Sequence, residues 1–274
     1  MLPYQTLTSR NTGYIPAELQ ERIRTTRLLV AGCGLGSVTA ELAARTGFER
    51  FILIDADDVV PHNLNRQGYA AADVGRPKVQ ALADRLRAVN PGAEIRAMPA
   101  WVKADNAAAL VAESDLVLDT IDFLDLPAII ALHDQAREQG RPLVSAFSAG
   151  WGAVAAVFTP KSGTLRGLCG LSESGSVEGA SYAGAFGRML AGMAPELPKD
   201  FVAVTRHTLR ELADGKPCPA PQLAAGAAAT GALMVTLAVR LLAGQPVTTA
   251  PKMLLVDLTG LACGPGIRVV TGQG

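Results

Sequence analysis

Only four cysteines occur in this chain, Cys33, Cys169, Cys218 and Cys263, and they lie far apart and never form a C-x-x-C pair. That excludes a disulfide framework and a cysteine-built zinc knuckle, and leaves reduced thiols as the default. Charge of one sign is missing too, since 25 basic residues balance 25 acidic ones. Such a chain lacks the cationic footprint of sequence-independent nucleic-acid binding or of a basic membrane patch, so partners must be recognised locally. There are three histidines, His62, His133 and His207, and no serine–histidine–acid arrangement is legible around them. The opening MLPYQTLTSRNTGYIP is polar, with no charged segment leading into an apolar one, which predicts a cytoplasmic protein. One stretch, 223–242, is long enough to cross a bilayer. It is mostly Ala and Gly with Arg240 near its end, and it reads as a packed helix.

What is abundant is apolar material. Hydrophobic residues make up 49% of 274 and charged residues 18%, enough to cover both faces of a sheet and too much for a disordered chain. The run 27–31, RLLVA, stops at glycines; helical spacing of Val38, Leu42 and Ala43 follows, then RFILID at 50–55. That is a strand–helix–strand unit. Pro77 opens a helix through Ala88, Asn90-Pro91-Gly92 ends it, and an alternating stretch follows at 94–102. DLVLDT at 115–120, the amphipathic PAIIALHDQAREQG and RPLVSAFS continue the alternation, with further strands at 152–158 and 253–258. The pattern predicts an α/β, Rossmann-like, doubly wound and mostly parallel sheet with helices on both faces, in one domain over 1–274. Residues 160–221 are rich in Gly, Ser, Ala and Pro and lack a sustained period; they read as a mobile crossover or substrate segment with a short helix around 202–213.

Gly32-Cys33-Gly34-Leu35-Gly36 joins the first strand to the first helix, where missing side chains let backbone amides approach a phosphate. Asp55 ends the second strand 19 residues after Gly36, placed to accept hydrogen bonds from an adenosine ribose. These two features predict a dinucleotide-type fold and leave NAD and ATP both open. The following stretch, DADDVVPHNLNRQGYAAADVGRPKVQA, contains Asp57, Asn63, Arg66, Gln67 and Lys78. Hydride transfer has no need of Arg66 and Lys78, whereas expelling pyrophosphate requires cations on the β- and γ-phosphates. Asp122, just beyond the strand at 115–120, falls at the carboxyl edge of a parallel sheet and is the magnesium candidate; Asp119, or a helix cap at Asp122, is the competing reading.

Asp55-Ala56-Asp57, Asn63-Leu64-Asn65-Arg66-Gln67 and Gly75-Arg76-Pro77-Lys78 resemble, residue by residue, the motifs of the ThiF/MoeB/HesA family, relatives of ubiquitin-activating enzymes. The resemblance covers roughly 9–160 and returns weakly at 221–258. It implies an adenylyltransferase that uses ATP and Mg2+ to convert a substrate carboxylate, such as the C-terminus of a ubiquitin-like protein or peptide or a small acid, into an acyl adenylate. In that scheme Gly32, Gly34, Gly36, Asp55, Asp57, Asn63 and Gln67 bind the nucleotide, Arg66 and Lys78 hold phosphates, and Asp122 holds the metal. Arg10, in Ser9-Arg10-Asn11, resembles the family arginine that reaches into the partner's site, which implies a homodimer. Three departures stand out. The glycine loop is one residue shorter than the family pattern; Phe123 stands where many relatives have Asn, with no arginine a few residues later; and both C-x-x-C pairs are absent, as in a zinc-free branch. Some relatives pass the activated carboxylate to a thiol, and Cys169, in RGLCGL, is the candidate on grounds of mobility and exposure. Cys33, Cys218 and Cys263 read as structural. The rival readings are an NAD-dependent oxidoreductase and a nucleotide-binding partner protein without turnover.

Overall fold

The computed structural model describes residues 3–177, 180, 182–216, 220–263 and 266–271. Two N-terminal helices that periodicity did not reveal, α1 (Tyr4–Leu7) and α2 (Ala17–Thr25), precede the alternating units. These run β1 (Arg27–Ala31), α3 (Leu35–Thr46), β2 (Arg50–Ile54), α4 (Lys78–Val89), β3 (Glu94–Met98), α5 (Ala104–Ala112), β4 (Leu116–Asp119), α6 (Leu126–Glu138) and β5 (Leu143–Ala149). The chain continues through β6 (Gly152–Phe158), α7 (Leu165–Leu168), α8 (Tyr182–Met193), α9 (Lys199–Ala213) and α10 (Ala224–Leu242). It closes with β7 (Lys252–Asp257), α11 (Leu258–Cys263) and β8 (Ile267–Thr271).

All eight strands share one sheet in the order β3-β2-β1-β4-β5-β6-β7-β8. The first five are mutually parallel, and β6, β7 and β8 add an antiparallel extension. Burial explains the near-continuous apolar strands. Along β1, Leu29 and Ala31 join the core under α5 and α6, while Leu28 and Val30 join the opposite core with residues of α3, α4 and α10. A strand sandwiched between two helical layers cannot alternate with polar residues. The helix at 224–242 is long and apolar enough to cross a membrane by length and composition. Here it packs on α3, β5 and β6, with Gly226, Gly231, Met234 and Leu237 buried.

The segment expected to be an irregular crossover contains three helices among its described residues, and α9 begins at Lys199, three residues before the helix read from sequence. Two features position the site. Strand order reverses between β1 and β4, opening a crevice at their carboxyl ends. At the same edge, β5 turns into β6 through Gly150 and Trp151.

Candidate active site

A cavity of about 430 Å³ occupies that crevice. Its inner wall is the loop from β1 to α3. Gly32 has φ +84°, and a Cβ there would lie 2.5 Å from the Thr120 carbonyl oxygen, so the approach of the β1 and β4 ends requires glycine. A Cβ on Gly36 would lie 2.5 Å from Thr120 Oγ1, which fixes the close packing of α3 on the sheet. Three hydroxyls hold the loop's successive carbonyls: Thr120 donates to Gly32 O at 2.6 Å, Tyr69 to Cys33 O at 2.6 Å and Ser37 to Gly34 O at 2.6 Å. With the carbonyls so held, what the loop offers to an anion is the start of α3, where backbone N–H groups have no carbonyl a turn earlier. The shortened loop is therefore held in one defined shape at the start of α3.

Asp55 is buried at the end of β2, with Oδ2 accepting from Cys33 N at 2.7 Å and Oδ1 from Asp57 N at 2.8 Å. It ties the glycine loop to the β2 end and also lines the cavity. Burial pushes its carboxyl above the ordinary range, and the nearby Lys78 opposes that shift. Lys78, first residue of α4, is 6% exposed and reaches Asp57 Oδ2 at 2.6 Å. Arg66 lines the opposite wall; its Nε donates to Gln222 Oε1 at 2.8 Å and Nη1 to His62 O at 2.9 Å. Burial lowers its pKa, and the charge of Asp122 acts the other way. Gln67 lines the cavity beside Gly34, and its Oε1 is buried without a hydrogen-bond partner.

Asp122 is exposed on the cavity wall; Oδ1 accepts from Leu124 N at 3.1 Å, and Oδ2 is open. The competing Asp119 is committed elsewhere. It is buried, with Oδ2 accepting from Ser145 Oγ at 2.8 Å and lying 2.9 Å from His133 Nε2, so it is a core triangle and does not face the cavity. Asn63 is buried and caps its own turn, accepting from Val60 N at 3.0 Å, outside the cavity wall. Arg10 is exposed on a short 3-10 turn and lies outside the cavity of its own chain. Cys169 is 3% exposed, and burial pushes its thiol up to about 11, which corrects the expectation of an exposed, mobile nucleophile. Cys33 is wholly buried, Cys218 lies outside the described residues, and so does the side chain of Cys263.

Sequence reasoning missed Tyr69, Thr120, Ser37 and Gln222. Thr120 could have been suspected as the residue after a strand ending near Asp119; nothing local in the sequence marks Gln222, 156 residues from Arg66.

The family model described as "ThiF family" matches residues 8–269. The chain belongs to the ThiF family. Among curated ThiF-type relatives, it is 35% identical over 129 residues to the SAMP-activating enzyme E1 of Haloferax volcanii, covering 46% of this chain and 47% of that protein. It is 39% identical over 105 residues to the molybdopterin-synthase adenylyltransferase of Escherichia coli, covering 38% and 42%. The matches thus span less than half of these relatives. Among solved structures, Escherichia coli MccB with ATP superposes with a TM-score of 0.70 at 17% identity, covering 97% of this chain and 71% of that one. PaaA does so at 0.66 and 19%, covering 98% and 79%. These two establish likeness of fold.

Proposed function

We propose that this ThiF-family chain adenylates a substrate carboxylate at the expense of ATP. One observation carries the reading: Lys78, Arg66, Gln67 and Asp122 converge with the glycine loop on a single cavity at the carboxyl edge of the parallel strands. The triphosphate lies over the start of α3, with Asp55 and Asp57 on the ribose side and Gln67 orienting the phosphates. Lys78 and Arg66 supply fixed positive charge where the leaving group gains negative charge. A carboxylate oxygen of the substrate forms a bond to the α-phosphorus, the bond to the α–β bridging oxygen breaks, and pyrophosphate departs with that electron pair. Positioning and electrostatics suffice, so no protein base is required.

The donor set fits Mg2+. Among the described residues no three His, Cys, Asp or Glu side chains assemble as a metal cage. The exposed carboxylate of Asp122 on the cavity wall suits an ion that keeps its waters and takes its remaining ligands from phosphate. Bound there, Mg2+ would neutralise phosphate charge. Arg10, outside its own cavity, serves the partner's site in a homodimer. Asn63 acts at one remove, by holding the turn that carries Arg66 and Gln67. The chain acts as one domain in the cytoplasm, where ATP is supplied.

ATP–pyrophosphate exchange with Mg2+ across a carboxylate panel tests this. Arg66→Ala and Asp122→Ala are each expected to lower exchange by about 100-fold. Tight ATP binding with no exchange for any acid would favour a nucleotide-binding partner without turnover, and failure to bind ATP would overturn the mechanism.

A further inference from the structure

Away from the glycine loop the cavity changes character. Phe123 and Phe147 meet edge-on at 5.5 Å, Phe123 and Phe186 lie at 4.7 Å, and Phe147 stacks with Phe201 at 6.2 Å. All four line the cavity, as do both tryptophans of the chain, Trp101 and Trp151. The two indoles are 50% and 48% exposed. Helix α9 presents one face to this chamber at helical spacing, through Phe201, Val204, Thr205, Thr208 and Leu209. Nothing in the handling of the triphosphate requires such walls.

One hydroxyl on the α9 face lacks a partner. Thr208 lines the cavity, is 5% exposed, and its Oγ1 has no hydrogen-bond partner. A buried hydroxyl without a partner is destabilising, and a ligand group in the adjoining space would relieve it. Charge is equally asymmetric. The cations of the cavity wall, Lys78 and Arg66, lie at the phosphate end; α9 contributes one charged residue, Asp200, and no cation. Asp55, Asp57 and Asp122 share that end, but among the described residues it is the only part of the wall that offers a carboxyl a counter-charge, and the rest of the molecule must be uncharged and apolar where it meets the phenylalanines.

We propose that this aromatic chamber is the acyl pocket, and that it takes a carboxylic acid whose carboxyl-bearing end carries an aromatic or large aliphatic group with a polar atom placed to meet Thr208. The inference rests on the adenylation reading for the identity of the reacting carboxyl, but the pocket's ligand class can be tested apart from it. A narrow tail ending in Gly-Gly would leave the phenylalanine walls uncovered and Thr208 unpaired. Phe123, which stands where many relatives have Asn, belongs to the chamber, so the departure from the family motif is a change of acyl specificity.

Trp151, in the β5–β6 turn four residues after Phe147, lines the same cavity as the phenylalanines, and its fluorescence reports occupancy without nucleotide. N-acetyl-tyrosine and N-acetyl-phenylalanine are expected to shift the emission saturably, and a peptide ending in Gly-Gly is not. Val204→Phe, at a half-exposed position that tolerates the added volume, should fill the chamber and weaken both complexes by about tenfold or more. The nearly isosteric Thr208→Val should weaken the N-acetyl-tyrosine complex by about tenfold and leave the N-acetyl-phenylalanine complex unchanged. ATP binding by each variant, followed in parallel, verifies that the nucleotide half is folded. The proposal is overturned if neither derivative binds, or if both variants titrate like the wild type. Saturable binding without pyrophosphate exchange for any acid would keep the pocket assignment and remove the adenylation reading. Exchange driven by the Gly-Gly peptide, with no response to the aromatic acids, would do the reverse.

Discussion

Tyr69 shows how much of the site depends on side chains that never touch the chemistry. Its hydroxyl, buried and with its pKa raised by that burial, holds the Cys33 carbonyl at 2.6 Å. Tyr69→Phe leaves that carbonyl without its donor, which is expected to cost about 1–2 kcal/mol. Urea unfolding should show the loss, and ATP affinity should fall as the loop loosens. The cysteines give a second expectation. Cys169 is raised by burial from 9.0 to about 11, so the thiol stays protonated near neutrality. Iodoacetamide at pH 7.5 should leave Cys33 and Cys169 unmodified in the native protein and label them after denaturation, as read by peptide mass spectrometry. Cys169→Ser should retain pyrophosphate exchange. The linkage has a definite sign. In this pH range the folded chain holds the Cys169 proton after the unfolded chain has released it, so this group makes stability fall as pH rises from about 9 to about 11.

At the scale of elements, close approach decides more than propensity. Helix α10 crosses the β5–β6 hairpin at Gly226, where a Cβ would lie 2.3 Å from the Gly150 carbonyl oxygen and 2.3 Å from Ser148 Oγ. Gly226→Ala raises intrinsic helix propensity yet is expected to destabilise by about 1–3 kcal/mol, because backbone must move. A fall in Tm would bear this out, and a rise would show that the hairpin yields freely. The Asp119 triangle joins β4, α6 and β5. Asp119→Ala strands the buried His133 and the half-buried Ser145, at an expected cost of about 2–5 kcal/mol in chemical denaturation. These elements were readable to different degrees. β1, β2, β6 and α4 follow from apolar runs and their Gly and Pro boundaries, whereas α5 and α8 sit in Ala- and Gly-rich stretches where no apolar stripe stands out.

For the whole molecule, the placement of Arg10 has a consequence. It lies outside the cavity of its own chain, so a role in catalysis requires a second copy. Arg10→Ala and Lys78→Ala should each be inactive alone, and co-refolded mixtures should recover exchange, since a mixed dimer contains one site with both residues intact. No recovery would remove Arg10 from the mechanism. The sequence by itself determined the α/β class and which residues gather around the glycine loop, because that loop, Asp55, Arg66 and Lys78, proposed above for the nucleotide, all fall between residues 32 and 78, on consecutive units whose ends are neighbours in any doubly wound sheet. It could not determine the other half. Gln222 reaches Arg66 across 156 residues, and the aromatic chamber draws on a β3 extension, a β4 loop, a hairpin turn and two late helices. Those side chains share no period and no spacing, and they meet only because the packing of α8 and α9 over the sheet edge brings them there.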